Sequence, residues 1–208
     1  MKCWMARSAG LGVALCVGVA GVLNAADEAP KTTLDNVKAA YGNELNAKAE
    51  YEAFAAKADE EGYKSVAALF RAAAKSEAIH AAKHEAILKD LKVEVKAEGV
   101  KPAVKTTKEN LETTVKDKTA LNETVHPAYV KQAETDKNEK AVMSFKGAMA
   151  ANTEYVKLCK DAAANLDAWK AAGKEFYVCL VCSFVMTDPK LEKCPICAAP
   201  RAKFEVFK

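Results

Sequence analysis

The sequence predicts an all-α protein, a four-helix bundle with one long crossover, followed by a small metal domain closed by four cysteines. Three observations predict it. The 208 residues are rich in Ala and Lys, with only 9 Gly and 6 Pro, and carry long Ala/Glu/Lys/Leu stretches that favour helices. Two stretches with apolar residues at helical spacing repeat one another at an offset of 75 positions. The last quarter carries two Cys-x-x-Cys pairs.

The formal charge of +3 gives no electrostatic reason to expect a nucleic acid partner. Lys2 and Arg7 precede an apolar run from Ala9 to Leu23, which ends in Asn24-Ala25-Ala26 before the polar Asp27 and Glu28. A basic start, a short hydrophobic core and small residues at its end read as a secretory signal peptide over 1–26. The run is short for a membrane span, so no stable membrane insertion is expected after cleavage; an uncleaved anchor is the alternative. The mature chain is expected to be exported, and periplasmic if the source is a diderm bacterium.

Residues 27–172 read as the bundle. Leu34, Val37, Tyr41, Leu45, Tyr51 and Phe54 define one helix, and Val66, Leu69, Phe70, Ala73, Ile79 and Leu88 the next. Gly62 is placed as the stop between them and Ser65 as the cap of the second. Alternating Lys and Val, then Gly99 and Pro102, predict an extended crossover over about 92–108. A second helical region is expected from Glu109 to Ala172, broken near Asp136-Lys137-Asn138. At the 75-residue offset Phe54 falls on Tyr129, Ala58 on Ala133, Glu61 on Asp136, Val66 on Ala141 and Phe70 on Phe145. Two related hairpins joined by a crossover give the bundle.

Residues 173–208 contain Cys179-x-x-Cys182 and, after eleven intervening residues, Cys194-x-x-Cys197. Each pair turns the backbone so that two thiolates converge, and two pairs complete a tetrahedron suited to zinc or iron. Two disulfides are the competing reading for an exported chain. In the bundle, Glu77 and His80 lie three apart on one helical face, the spacing that lets a carboxylate and an imidazole bind one ion.

Taken together, Glu77-x-x-His80, Tyr177-x-Cys179-x-x-Cys182, Cys194-Pro-x-Cys197 and the segment Ala199 to Glu205 resemble the rubrerythrin family. The resemblance implies a ferritin-like di-iron bundle followed by a rubredoxin-like four-cysteine iron site. It further implies a homodimer and an oxidoreductase that reduces hydrogen peroxide at the bundle metal. Carried over residue by residue, it assigns Glu44, Glu77 and His80 as bundle ligands. The other half of the set is substituted. Asn152 and Tyr155 stand at the fourth-helix Glu-x-x-His, Lys118 or Thr119 at the third-helix carboxylate, and Leu121 near a further carboxylate. A full di-iron site is thus not expected, whereas Glu44, Glu77 and His80 offer enough ligands to hold one ion. Asp117 and Glu154 lie beside vacated positions, about 100° away around the helix. Glu123-x-x-His126 repeats the motif just before Pro127, His84 reads as a surface residue, and Cys159 as a small buried hydrophobe. Ser183 stands where the family has Gly after the second cysteine. Three functions remain open: a peroxide-reducing oxidoreductase, an electron carrier with an undetermined redox partner, and a zinc-binding structural protein.

Overall fold

The computed structural model describes residues 32–95, 99–171 and 173–208; the expected signal segment lies outside these. Five α-helices, α1 (Thr33–Glu60), α2 (Lys64–Asp90), α3 (Thr107–Ala120), α4 (His126–Thr135) and α5 (Glu139–Ala164), form the bundle. A π-helical turn, Leu121–Val125, joins α3 to α4, so that together they make the third long rod.

Local sequence explains the boundaries. Thr32 accepts a hydrogen bond from the Asp35 N–H and starts α1. Gly62 follows its end with φ of +81°, the left-handed region that disfavours a side chain. Ser65 is not the cap of α2. The chain enters that helix directly from the turn, where the Tyr63 N–H bonds the Ala58 carbonyl. The Ser65 hydroxyl instead donates to the Ala171 carbonyl at 2.6 Å. The third rod begins at Thr107, two residues earlier than expected, because Thr106 and Glu109 form a reciprocal capping box. The fourth ends at Ala164, short of Ala172, and a 3₁₀ turn (Leu166–Trp169) redirects the chain.

The repeat seen in the sequence has a structural counterpart. Phe54 and Phe70 pack edge to face at 5.4 Å, and their offset partners Tyr129 and Phe145 lie 5.3 Å apart. The paired turns also do equivalent work. Glu61 accepts from the Thr107 N–H at the start of α3 (2.9 Å), and Asp136 accepts from the Thr33 N–H and hydroxyl at the start of α1 (3.1 and 2.7 Å). Each hairpin thus satisfies an orphan donor of the other.

After the bundle, β1 (Phe176–Cys179) pairs antiparallel with β2 (Val185–Met186) on one side and β3 (Phe204–Phe207) on the other. Phe176, Val178 and Val185 join the same buried cluster as Tyr51, Phe70 and Tyr155, so the sheet and the bundle share one core. Among the described residues, no helix is long and apolar enough to cross a membrane. Glu61→Ala should lower unfolding free energy by about 1 kcal/mol, the value of a lost helix-start acceptor, as read from urea denaturation.

Candidate metal centres

The first centre grows out of β1. The strand delivers Cys179 at its end, the following turn returns Cys182, and Cys194 and Cys197 turn back between Lys193 and Pro200, which form a bridge. The Sγ atoms of Cys179 and Cys197 lie 3.6 Å apart, and those of Cys182 and Cys194 3.4 Å. All four fall within 4.8 Å of one another. Metal–sulfur bonds of ~2.3 Å at tetrahedral angles would place sulfurs about 3.8 Å apart, so the set is nearly spaced for one ion. The thiols are free, far beyond the ~2.05 Å of a disulfide.

Backbone N–H groups surround these sulfurs. Those of Val181 and Cys182 bond Cys179, that of Phe184 bonds Cys182 and that of Ala199 bonds Cys197. Burial raises the Cys182 and Cys179 thiols above their ordinary value, so their thiolate forms call for the charge of a metal. The Cys197 thiol is lowered despite its partial burial, by the Ala199 N–H and the neighbouring sulfurs. The residues present fit a tetrathiolate ion.

The second centre lies within the bundle, where Glu44 of α1 meets Glu77 and His80 of α2. One ligand atom from each falls within 4.8 Å of the others. The three residues singled out in the sequence are brought together, but Lys118 sets a cation against two of them. Lys118, from α3, is almost fully buried and places its ammonium 2.8 Å from Glu77 Oε1 and 3.8 Å from Glu44 Oε2, with the Tyr51 ring 5.8 Å away. Burial opposes charge on all these groups, and the pairing decides the outcome. Glu77 is held well below the usual carboxylate range by Lys118 and then by its hydrogen bond with His80. Lys118 is raised by Glu77 and Glu44 against the cost of its burial. Glu44 is raised well above the ordinary range by burial and then by the charge of Glu77. One ammonium faces one carboxylate, with Glu44 as the neutral acid.

Across the bundle, no carboxylates among the described residues answer. Asn152 donates to Asn122 Oδ1 at 3.3 Å, and Tyr155 turns its ring edge toward Tyr51 at 5.5 Å. The π turn brings Asn122 to the Met149 carbonyl and Thr153 hydroxyl, and His126 Nδ1 lies 3.4 Å from its Oδ1. Asp117 and Glu50 line a cavity of about 570 Å³ beside Lys118, outside the trio, and Glu154 pairs with Lys157 at the surface. Bundle di-iron sites draw a Glu from each of two helices and a Glu-x-x-His from each of the other two. Among the described residues only one such half is present, with an ammonium inside it. The residues do not fit a dinuclear ion pair.

Two histidines are buried, and His84 departs from the sequence reading. His84 is fully buried, not a surface residue, its Nδ1 3.4 Å from Ser144 Oγ and its ring against Phe145. His126 is buried while Glu123, its motif partner, is exposed, so that pair cannot act together. Burial pushes their basicity down, to about 3 for His84 and about 4 for His126, which also feels Lys118. Cys159 is buried as expected, its thiol pushed up to about 12. In the alanine-rich α2 a buried histidine breaks no apolar stripe, which is why periodicity missed His84.

Comparison with known proteins gives a consistent result. A family profile described as Rubrerythrin matches residues 35–155, and one described as "Rubrerythrin, rubredoxin-like domain" matches 177–205. Nigerythrin of Nitratidesulfovibrio vulgaris is 30% identical over 177 residues, covering 85% of this chain and 87% of its own. Rubrerythrin-2 of Clostridium acetobutylicum is 30% identical, covering 84% and 96%. The partially reduced nigerythrin structure superposes with a TM-score of 0.81 at 30% identity, covering 86% of this chain and 88% of that one.

Lys118→Met should destabilise the chain by roughly 3–5 kcal/mol, because it leaves Glu77 charged and unpaired, and urea titration will read the loss. His84 and His126 bind protons in the unfolded state below pH 6.5 but not in the folded state until about 3 and 4. Stability is therefore full above pH 6.5 and falls as pH drops toward 4, by up to about 3 kcal/mol for each group. A His84→Leu variant should show a shallower decline in thermal midpoint over that window.

Proposed function

The chain belongs to the rubrerythrin family, and from that premise we propose that it acts as a one-electron carrier through its four-cysteine site, with the bundle as scaffold. The observation that carries this reading is the Lys118 ammonium between Glu44 and Glu77. Two-electron reduction of peroxide at a bundle centre needs the position that Lys118 fills. Iron held by four thiolates supplies a ferric/ferrous couple, and the family favours iron over zinc here.

The protein's own part is to hold the four sulfurs and shape access to them. Cys179 is enclosed by the sheet, whereas Cys197 lies at the surface. Leu180, Val181 and Ile196 stand exposed on the knuckle turns beside it. Such an apolar rim lets a partner approach closely while the buried sulfurs stay shielded from water. Arg201 stacks over the Tyr177 ring at 3.9 Å and braces the strand that carries Cys179.

Peroxide reduction is the second reading, favoured by the convergence of Glu44, Glu77 and His80. It requires Lys118 to withdraw. Export belongs to the same proposal and rests on Lys2, Arg7 and the apolar run Ala9 to Leu23; a homodimer is what the family leads us to expect.

Metal analysis of the purified full-length product tests the reading. About one iron per chain and the strong visible absorption of a ferric tetrathiolate are expected. About three irons per chain would overturn the carrier reading in favour of the peroxidase, and one zinc with no colour would overturn both. The N-terminus of the same preparation reports export: a start near Asp27 fits, and an intact Met1 argues against cleavage.

A further inference from the structure

Ser183 is the residue after Cys182, and its φ of +72° lies in the left-handed region that favours glycine. A serine there forgoes that freedom, and its surroundings show what it gains. Ser183 is wholly buried against α2. The Ser76 hydroxyl donates to the Ser183 carbonyl at 2.9 Å, and the Ser183 hydroxyl meets His80 Nε2. The hydroxyl also lies against the Cys182 carbonyl. Ser76 and His80 are four apart, on one face of α2, and Lys83 continues that face toward the sulfurs of Cys182, Cys179 and Cys197.

His80 is itself fixed from behind. Its Nδ1 lies 3.1 Å from Glu77 Oε2, and Glu77 is held in turn by Lys118. With Nδ1–H donating to the carboxylate, Nε2 is left as an acceptor, and the single Ser183 hydroxyl proton given to it is then not shared with the Cys182 carbonyl.

We infer that the His80–Ser183 contact, backed by Ser76, is a clamp by which the bundle sets the reduction potential of the four-cysteine iron. This rests on the electron-carrier reading only in its biological use. The mechanism runs through the backbone. Ser183 joins Cys182 to Phe184, and the N–H groups of those two residues point at Cys179 and Cys182. An N–H directed at a thiolate favours the more negative, reduced centre, so holding Ser183 keeps the potential up. His80 and Ser183 are positioning residues here, without contact to the ion.

The test uses full-length chain reconstituted anaerobically with iron alone, so a natural zinc site would defeat the carrier reading without voiding this one. Ser183→Ala and His80→Leu should each lower the midpoint potential by the equivalent of about a tenfold change in the reduction equilibrium, ~59 mV for one electron. The double variant should fall no further, since both break one contact. His80→Gln, which keeps a hydrogen-bonding atom near Nε2, should recover most of the shift. If His80→Leu fails to fold, Ser183→Ala and His80→Gln carry the test. In the zinc-loaded chain, Ser183→Ala should also speed hydrogen exchange at the Phe184 amide. Unchanged potentials in folded, iron-loaded variants, or additive shifts in the double variant, would overturn the clamp.

Discussion

The bundle depends on one buried ion pair. Lys118 and Glu77 meet at 2.8 Å with both side chains buried, and Glu44 and His80 lie beside them. Removing either charge leaves the other uncompensated, so the pair is a constraint on the whole interior as much as a source of stability. The choice of lysine has chemical consequences. A tethered ammonium cannot be chelated, exchanged or oxidised, and it supplies a positive charge that otherwise would come from a bound ion. The interior is therefore electrically complete as the chain folds, whatever the metal supply.

That pair also connects the two centres. From Lys118 the contacts run through Glu77 and His80 to Ser183, beside the ligand Cys182. The residues that could have been metal ligands are thereby occupied on both sides. His80 has one ring nitrogen committed to the bundle and the other to the knuckle, which leaves neither nitrogen free without breaking a buried contact.

Much of this was legible in the chain. The cysteine spacing identified the tetrathiolate set, and the 75-residue offset found both the hairpin repeat and the aromatic pairs that anchor it. It also placed Lys118 or Thr119 at a carboxylate position and Asn152 and Tyr155 opposite. What one sequence could not tell was the direction of the Lys118 side chain. A helical lysine is ordinarily solvated, and only the packed structure shows it turned inward. His84 escaped for a related reason: with alanine on several sides of α2, little amphipathic contrast marks an interior position. Ser183 was visible as a departure from the glycine of the family, but its partners lie about a hundred residues away in sequence, beyond any local pattern.

The shared core has a further consequence. Because Phe176, Val178 and Val185 pack with Tyr51, Phe70 and Tyr155, the small sheet is not an appendage hanging from the bundle. Ion binding at the cysteines stabilises only the folded sheet, and mass action carries that free energy into any structure that must open with it. The helices are then partly held shut by an ion they never touch. Proteolytic lifetime of the whole chain becomes a readout of metal occupancy at its far end, a form of quality control that separate domains on a flexible linker would lack.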